Sequence, residues 1–179
     1  MEQLDARRAP ALSVSRLGSH GGLLSELCHL YGACKHLHTT LTLMAAGPHT
    51  PAVTHLIGSA RRESSTQLWR LERLFAHLDE EVGRRRCLGM AAILEGRDTA
   101  TGLPRSEASV HTTVAQAAHY LAALYATAAT HSRTLGYDVV AAELDQCASD
   151  TTALALRASH VGPPVPTDRT HRSPDQARP

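Results

Sequence analysis

Cysteine, histidine and carboxylate side chains are the groups in this chain that could hold a metal or move a proton. The four cysteines are Cys28, Cys34, Cys87 and Cys147, and none forms a Cys-x-x-Cys or another close pair. That spacing argues against a zinc knuckle and against a thioredoxin-type dithiol. Of the twelve histidines, His36, His55, His77 and His111 have no partner at ligand spacing. Five residues remain as a candidate set: Cys34, His38, Glu63, His119 and Asp150. Thiolate and imidazole suit zinc or copper, and carboxylates suit iron. Among these five there is no Glu-x-x-His pair. A plainer reading stands beside the chemical one. A buried free cysteine usually serves as a small hydrophobe, and a core histidine is more often hydrogen-bonded than metal-bound. Glu63, next to Ser64, fits a partly exposed helix carboxylate. No nucleophile elbow, phosphate loop or dinucleotide fingerprint occurs, so no catalytic or cofactor-binding residue is assigned.

Such residues must be positioned by helices. Leu and Ala dominate the chain, aromatics make up 3% and β-branched residues are few, a composition that favours helix over strand. Leu23, Leu27, Leu30, Cys34, Leu37, Leu41 and Met44 recur at steps of four and three, one face of a helix that Gly47-Pro48 ends. A second helix is expected to start at Thr50 as N-cap with Pro51 at its first position. Its stripe is Val53, Ile57, Ala60, Ser64, Gln67, Leu71, Leu74 and Leu78, polar in the middle. A short helix follows, carrying Cys87, Met90, Ala91 and Leu94, and then a loop from Glu95 to Arg105. The third long helix has Ser106 as candidate N-cap, a stripe from Val110 through Leu121 to Leu135, and Gly136 as a left-handed cap. The fourth, with Asp138 as candidate cap, places Val140, Leu144, Cys147, Thr151, Leu154 and Ala158 on one face. Short turns within each helix pair and a long crossing between the pairs predict an all-α, ferritin-like antiparallel four-helix bundle with a short extra helix in the crossover. Residues 1–21 are expected to be a flexible N-terminal segment, 22–161 the bundle, and 162–179 a Pro-rich disordered tail.

Composition also bounds the partners. The formal net charge is +1 over 179 residues, and the one basic run, Arg84-Arg85-Arg86, follows Asp79-Glu80-Glu81 and lacks aromatic neighbours. No nucleic-acid partner is expected. No apolar stretch reaches the roughly 20 residues of a spanning helix, so no membrane partner is expected. Sparse thiols without an apolar leader point to a reducing cytoplasm.

Several segments together resemble the YciE/YciF-like bacterial stress proteins, a branch of the ferritin-like superfamily. Leu27-Cys28-His29-Leu30-Tyr31-Gly32-Ala33-Cys34-Lys35-His36-Leu37 resembles the family's Leu, Tyr, Ala-Glu-Lys-Gln-Leu pattern. Arg70-Leu71-Glu72 with Phe75, Cys87-Leu88-Gly89-Met90, His119-Tyr120 with Tyr125, and Leu135-Gly136-Tyr137 match further segments in order. The resemblance implies a di-iron site fed by glutamates from the bundle helices. This chain departs from the pattern at the positions that would supply them, with Cys34, Ala91, Ala118 and Leu121 where glutamate is implied. The last helix retains only Asp150 of its acidic cluster. The expectation is therefore a degenerate, metal-free site with a structural or interaction role, and self-association as the first kind of partner. No metal ligand is expected, and Glu63, His119, Asp150 and Cys34 are the remnant candidates. The alternative is a metal-binding stress protein holding iron, or zinc or copper through altered ligands.

Overall fold

The computed structural model describes residues 9–83, 85–95 and 106–160, with side chains from Ser19 onward. Five helices follow one another along the chain: α1 (Ala9–Met44), α2 (Pro51–His77), α3 (Leu88–Glu95), α4 (Glu107–Thr134) and α5 (Asp138–His160). Among the described residues there is no strand. The expected tail, 162–179, and most of the expected loop before Ser106 lie outside the described residues.

Local signals explain most of the boundaries. Thr50 precedes α2 in extended geometry with Pro51 at the first helical position, but its side chain makes no capping bond. Instead its backbone N–H donates to Glu107 Oε1 at 2.7 Å, a bond that holds the Glu107 carboxyl below its usual range. Ser106 does cap α4, its hydroxyl accepting from the Ser109 N–H at 3.2 Å. Helix α4 ends as expected on Gly136, at φ 80°. There the Tyr137 N–H reaches the Ser132 carbonyl and the Gly136 N–H the Arg133 carbonyl, a Schellman closure that needs a residue free of the Cβ clash. Asp138, expected as a cap, is the first residue of α5. Helix α1 is 36 residues long and begins well before Leu23. Pro10 is compatible with that start, because the first turn of a helix has no partner for its N–H groups.

The arrangement is that of two antiparallel pairs joined by a long crossover. Helix α1 packs on α2, and α4 on α5; across the pairs α1 meets α4, and α2 meets α5. The middle of α1 lies against the end of α4, where the Glu26 carboxylate is 3.2 Å from His131 Nδ1. The start of α2 lies beside the start of α4, through the Thr50–Glu107 bond. Helices α2 and α4 therefore run in the same direction, which a short hairpin cannot produce and a crossover along the bundle can. Helix α3 sits in that crossover and packs on α1 and α4.

The apolar stripes converge on one core. Leu23, Leu27, Leu37, Leu71, Leu121, Leu144 and Leu154 are buried in a single cluster with Phe75, Met90 and Tyr125. Alanines at 60, 117, 118, 128, 129 and 155 are also buried, and their small size lets the helix backbones approach closely. Leu71 is fully buried at the centre of this cluster. Leu71→Ala is expected to lose about 2–5 kcal/mol, read as a lower urea midpoint at unchanged slope.

Candidate functional site

The polar gap in the α2 stripe lies at mid-height in the bundle, and side chains from all four long helices meet there. Gln67 is buried at its centre. Its Nε2 donates to Thr151 Oγ1 of α5 at 2.6 Å and to Glu63 Oε1 at 3.3 Å. Its Oε1 accepts from the Tyr125 hydroxyl of α4 at 3.4 Å and faces the Cys34 thiol of α1 at 3.8 Å. Both amide hydrogens are thus engaged, and the oxygen accepts from Tyr125. Thr151 passes its own proton to the Cys147 carbonyl at 2.6 Å. The Cys34 thiol also lies 3.4 Å from the Ser64 carbonyl. Ser64 gives its proton to the Arg61 carbonyl at 2.9 Å, which leaves its oxygen to accept from His38 Nδ1 at 3.1 Å.

A charged pair borders this layer. Arg70 Nη1 donates to Asp150 Oδ2 at 2.6 Å and lies 3.9 Å from Cys147 Sγ. Gln146 donates to the other oxygen, Oδ1, at 2.8 Å. The Asp150 carboxylate is therefore held on both oxygens by this chain's own donors.

The sequence candidates fare unequally. Cys34, Glu63 and His38 reach the layer, and Asp150 reaches its edge. His119 does not: it is exposed on the outer face of α4, one residue beyond the buried Ala118, so its helical phase turns it away from the axis. Ala91, Ala118 and Leu121 are buried as core residues. Arg70 and Tyr125 lie beside the stripes, and residue type alone gives no sign of their part in the layer. The chain does hold one Glu-x-x-His spacing, Glu26-Leu27-Cys28-His29, at the middle of α1 and outside the candidate set. Glu26 pairs there with His131, and His29 turns toward Cys87 and Tyr120.

These donors are a poor match to a di-iron centre. Two hard cations bring roughly four units of positive charge and need several anionic oxygens. The layer offers Glu63, bonded to Gln67, and Asp150, already neutralised by Arg70. Its two sulfurs are protonated thiols: burial pushes Cys34 up to about 12 and Cys147 up to about 11, the latter against the opposing pull of Arg70. Among the described residues no three or more His, Cys, Asp or Glu side chains are grouped so as to hold a metal ion.

Two antiparallel helix pairs, one long crossover carrying a short helix, and a mid-height layer fed by all four long helices define a ferritin-like bundle. The chain belongs to the DUF892 family, described as a domain of unknown function, which it matches over residues 20–161. The resemblance to YciF-like proteins extends to solved structures. YcfI from Rhodopseudomonas palustris superposes with a TM-score of 0.74 at 20% identity, covering 80% of this chain and 94% of that one. The E. coli stress protein YciF superposes with a TM-score of 0.71 at 19% identity, covering 79% and 92%. No curated protein matches the chain. No helix among the described residues is long and apolar enough to cross a membrane.

The two axial thiols provide a check on this geometry. At pH 9 an ordinary cysteine is about three quarters thiolate, whereas one with a pKa near 12 is about a thousandth thiolate. Iodoacetamide at pH 9 is expected to leave Cys34 and Cys147 unmodified in the folded protein and to alkylate both in urea, as read by peptide mass spectrometry. Rapid alkylation of Cys34 in the folded protein would show that the layer is open.

Proposed function

We propose that this chain is a non-catalytic ferritin-like protein of the YciF stress type, its di-iron site replaced by a hydrogen-bonded layer, with a structural or interaction role. The observation that carries this reading is the saturation of Gln67. An amide occupies the position on the axis where several helices converge; both its hydrogens and its oxygen are bonded to partners from α2, α4 and α5, and the Cys34 thiol of α1 lies against it. Arg70 adds the single positive charge that Asp150 requires. A ligand set already satisfied in this way gains little from a metal, which would have to displace each of these partners.

The role in this reading is carried by the outer surface, and the first partner is a second copy of the chain. Trp69 is 55% exposed and Val139 62% exposed. The Arg73 guanidinium lies over the Trp69 ring at 4.8 Å, and Arg73 and Val139 line the same surface groove. Aromatic and arginine side chains of this kind are favoured at interfaces.

Elemental analysis of protein purified without added metal tests the reading, with light scattering on the same sample giving its mass. The expected result is no stoichiometric iron, no ferroxidase activity and a mass above one chain. Iron near two per chain, lost in Glu63→Ala, would overturn it. Zinc or copper at one per chain, lost in Cys34→Ser, would overturn the metal-free reading in favour of altered ligands.

A further inference from the structure

A second cluster of reactive side chains lies on the flank of the bundle, away from the axial layer. Cys87 is the residue before α3, and its Sγ accepts from the Met90 N–H at 3.4 Å, in the manner of an N-cap. His29 Nε2 of α1 is 3.2 Å from the same sulfur. The Tyr120 hydroxyl of α4 is 3.4 Å from it, and also 3.4 Å from His29 Nε2. One sulfur thus meets an imidazole, a phenol and a helix N-terminal amide, contributed by three elements. Serine, aspartate and asparagine cap helices better than cysteine, so capping alone does not account for this residue type beside an imidazole.

The backbone is built to allow the cluster. A Cβ on Gly89 would stand 2.5 Å from the Tyr120 hydroxyl and 2.8 Å from its ring carbon. Only glycine lets that ring reach the sulfur. A Cβ on Gly32 would fall 1.9 Å from the Arg85 carbonyl oxygen, so glycine also lets the segment leading to Cys87 lie directly on α1.

Access is narrow and cationic. Cys87 is only 2% exposed, yet it lines a surface cleft of about 300 Å³ together with Lys35, His36, Arg85 and Arg86. His29 lines a neighbouring cleft of about 220 Å³, and Arg85 borders both. A sulfur this little exposed is reached more readily by a small electrophile than by a peptide or a bulky disulfide. Thiolates are stabilised beside imidazolium, at helix N-termini and near Lys or Arg, and such sites mark reactive cysteines.

We infer that Cys87 is a peroxide-reactive thiol, with His29 as its base and a small hydroperoxide as its substrate. The site is separate from the axial layer and does not rest on how that layer is read. His29 Nε2 takes the thiol proton. The sulfur electron pair attacks one peroxide oxygen, and an S–O bond forms as the O–O bond breaks. The departing hydroxide collects the proton from His29 and leaves as water. Sulfur loses two electrons, the peroxide gains two, and Cys87 becomes a sulfenic acid. Tyr120 steadies the sulfur as a hydrogen-bond donor. Its hydroxyl is pushed up to about 12, chiefly by the bond to Cys87, which keeps the donor proton in place.

The full chain treated with hydrogen peroxide and dimedone, a sulfenic acid trap, tests the inference by peptide mass spectrometry. In the folded protein Cys87 is expected to carry the label, forming at least about ten times faster than in the urea-unfolded chain. His29→Gln keeps a hydrogen-bonding side chain without the base and is expected to slow labelling at least about tenfold. Tyr120→Phe should slow it by a smaller factor, about two- to fivefold. Circular dichroism melts establish that each variant is folded. The comparison of folded with unfolded wild type needs no variant and decides by itself. Label on Cys28 in place of Cys87, a Cys87 no faster folded than unfolded, or a folded His29→Gln that reacts at the wild-type rate would each overturn it.

Discussion

The bundle is organised around a buried amide that must be satisfied on every side. Apolar stripes of Leu and Ala hold helices together without fixing their relative height, because one leucine packs much as well as another a turn away. Gln67 removes that freedom. A slip of one turn, roughly 5.4 Å, would part its Nε2 from Thr151 and its Oε1 from Tyr125, leaving polar groups unpaired in the core. Each such loss costs about 1–3 kcal/mol. The layer is thus a register device whose partners come from four helices, and the low dielectric around it raises the penalty for a wrong register.

Charge is handled with equal economy. The layer takes in one full ion pair, and places it at the edge: Arg70 and Asp150 keep about a quarter of their side-chain surfaces in solvent, 23% and 28%. An ion pair at that depth avoids the desolvation that a fully buried pair would suffer. Nearer the axis the groups are amide, hydroxyl, phenol and protonated thiols, with the half-buried Glu63 carboxylate accepting from Gln67. Cys34 and Cys147 fit this pattern, since burial keeps both protons on. The same residue type that could bind a soft metal as a thiolate acts here as a weak hydrogen-bond donor filling a small volume.

Periodicity made the fold legible. The stripes through Leu27, Leu71, Leu121 and Leu144 are buried over most of their length, with Met44, Leu78, Leu124, His131 and Leu135 partly exposed, and Ser106 and Gly136 begin and end α4 where their chemistry suits. Periodicity also marked Ser64 and Gln67 as a polar break in the core. What it could not give was the set of partners, because these arise from packing between helices. Tyr125 and Arg70 sit one step off their stripes, and nothing local tells a bordering side chain that reaches inward from one that points away. His119 is the converse case. Its type and its neighbour Tyr120 suggested a site, but one residue of helical phase past Ala118 puts it in solvent. The α1 start shows a different limit: residues 1–21 read as a flexible segment, yet the helix begins at Ala9 and runs through glycines 18, 21 and 22. A glycine weakens a helix by about 1 kcal/mol, which neighbouring turns and tertiary packing can outweigh.

Helix α1 joins the two polar regions, because it is packed on more than one face. One face carries Leu27, Leu30, Cys34 and Leu37 into the core, and the adjoining face offers Ser25, His29, Gly32 and His36 to the crossover. Cys34 and Cys87 therefore lie on opposite sides of the same wall, in opposite environments. Cys34 is fully buried and lines neither cleft, and burial keeps its proton on. Cys87 has an imidazole, a phenol and a backbone N–H for neighbours, and a cationic cleft opens beside it. Reactivity in this protein thus follows from which side of α1 a cysteine meets. On the crossover side that meeting depends on Gly32 and Gly89, whose missing Cβ atoms let the crossover chain and the Tyr120 ring close on one sulfur.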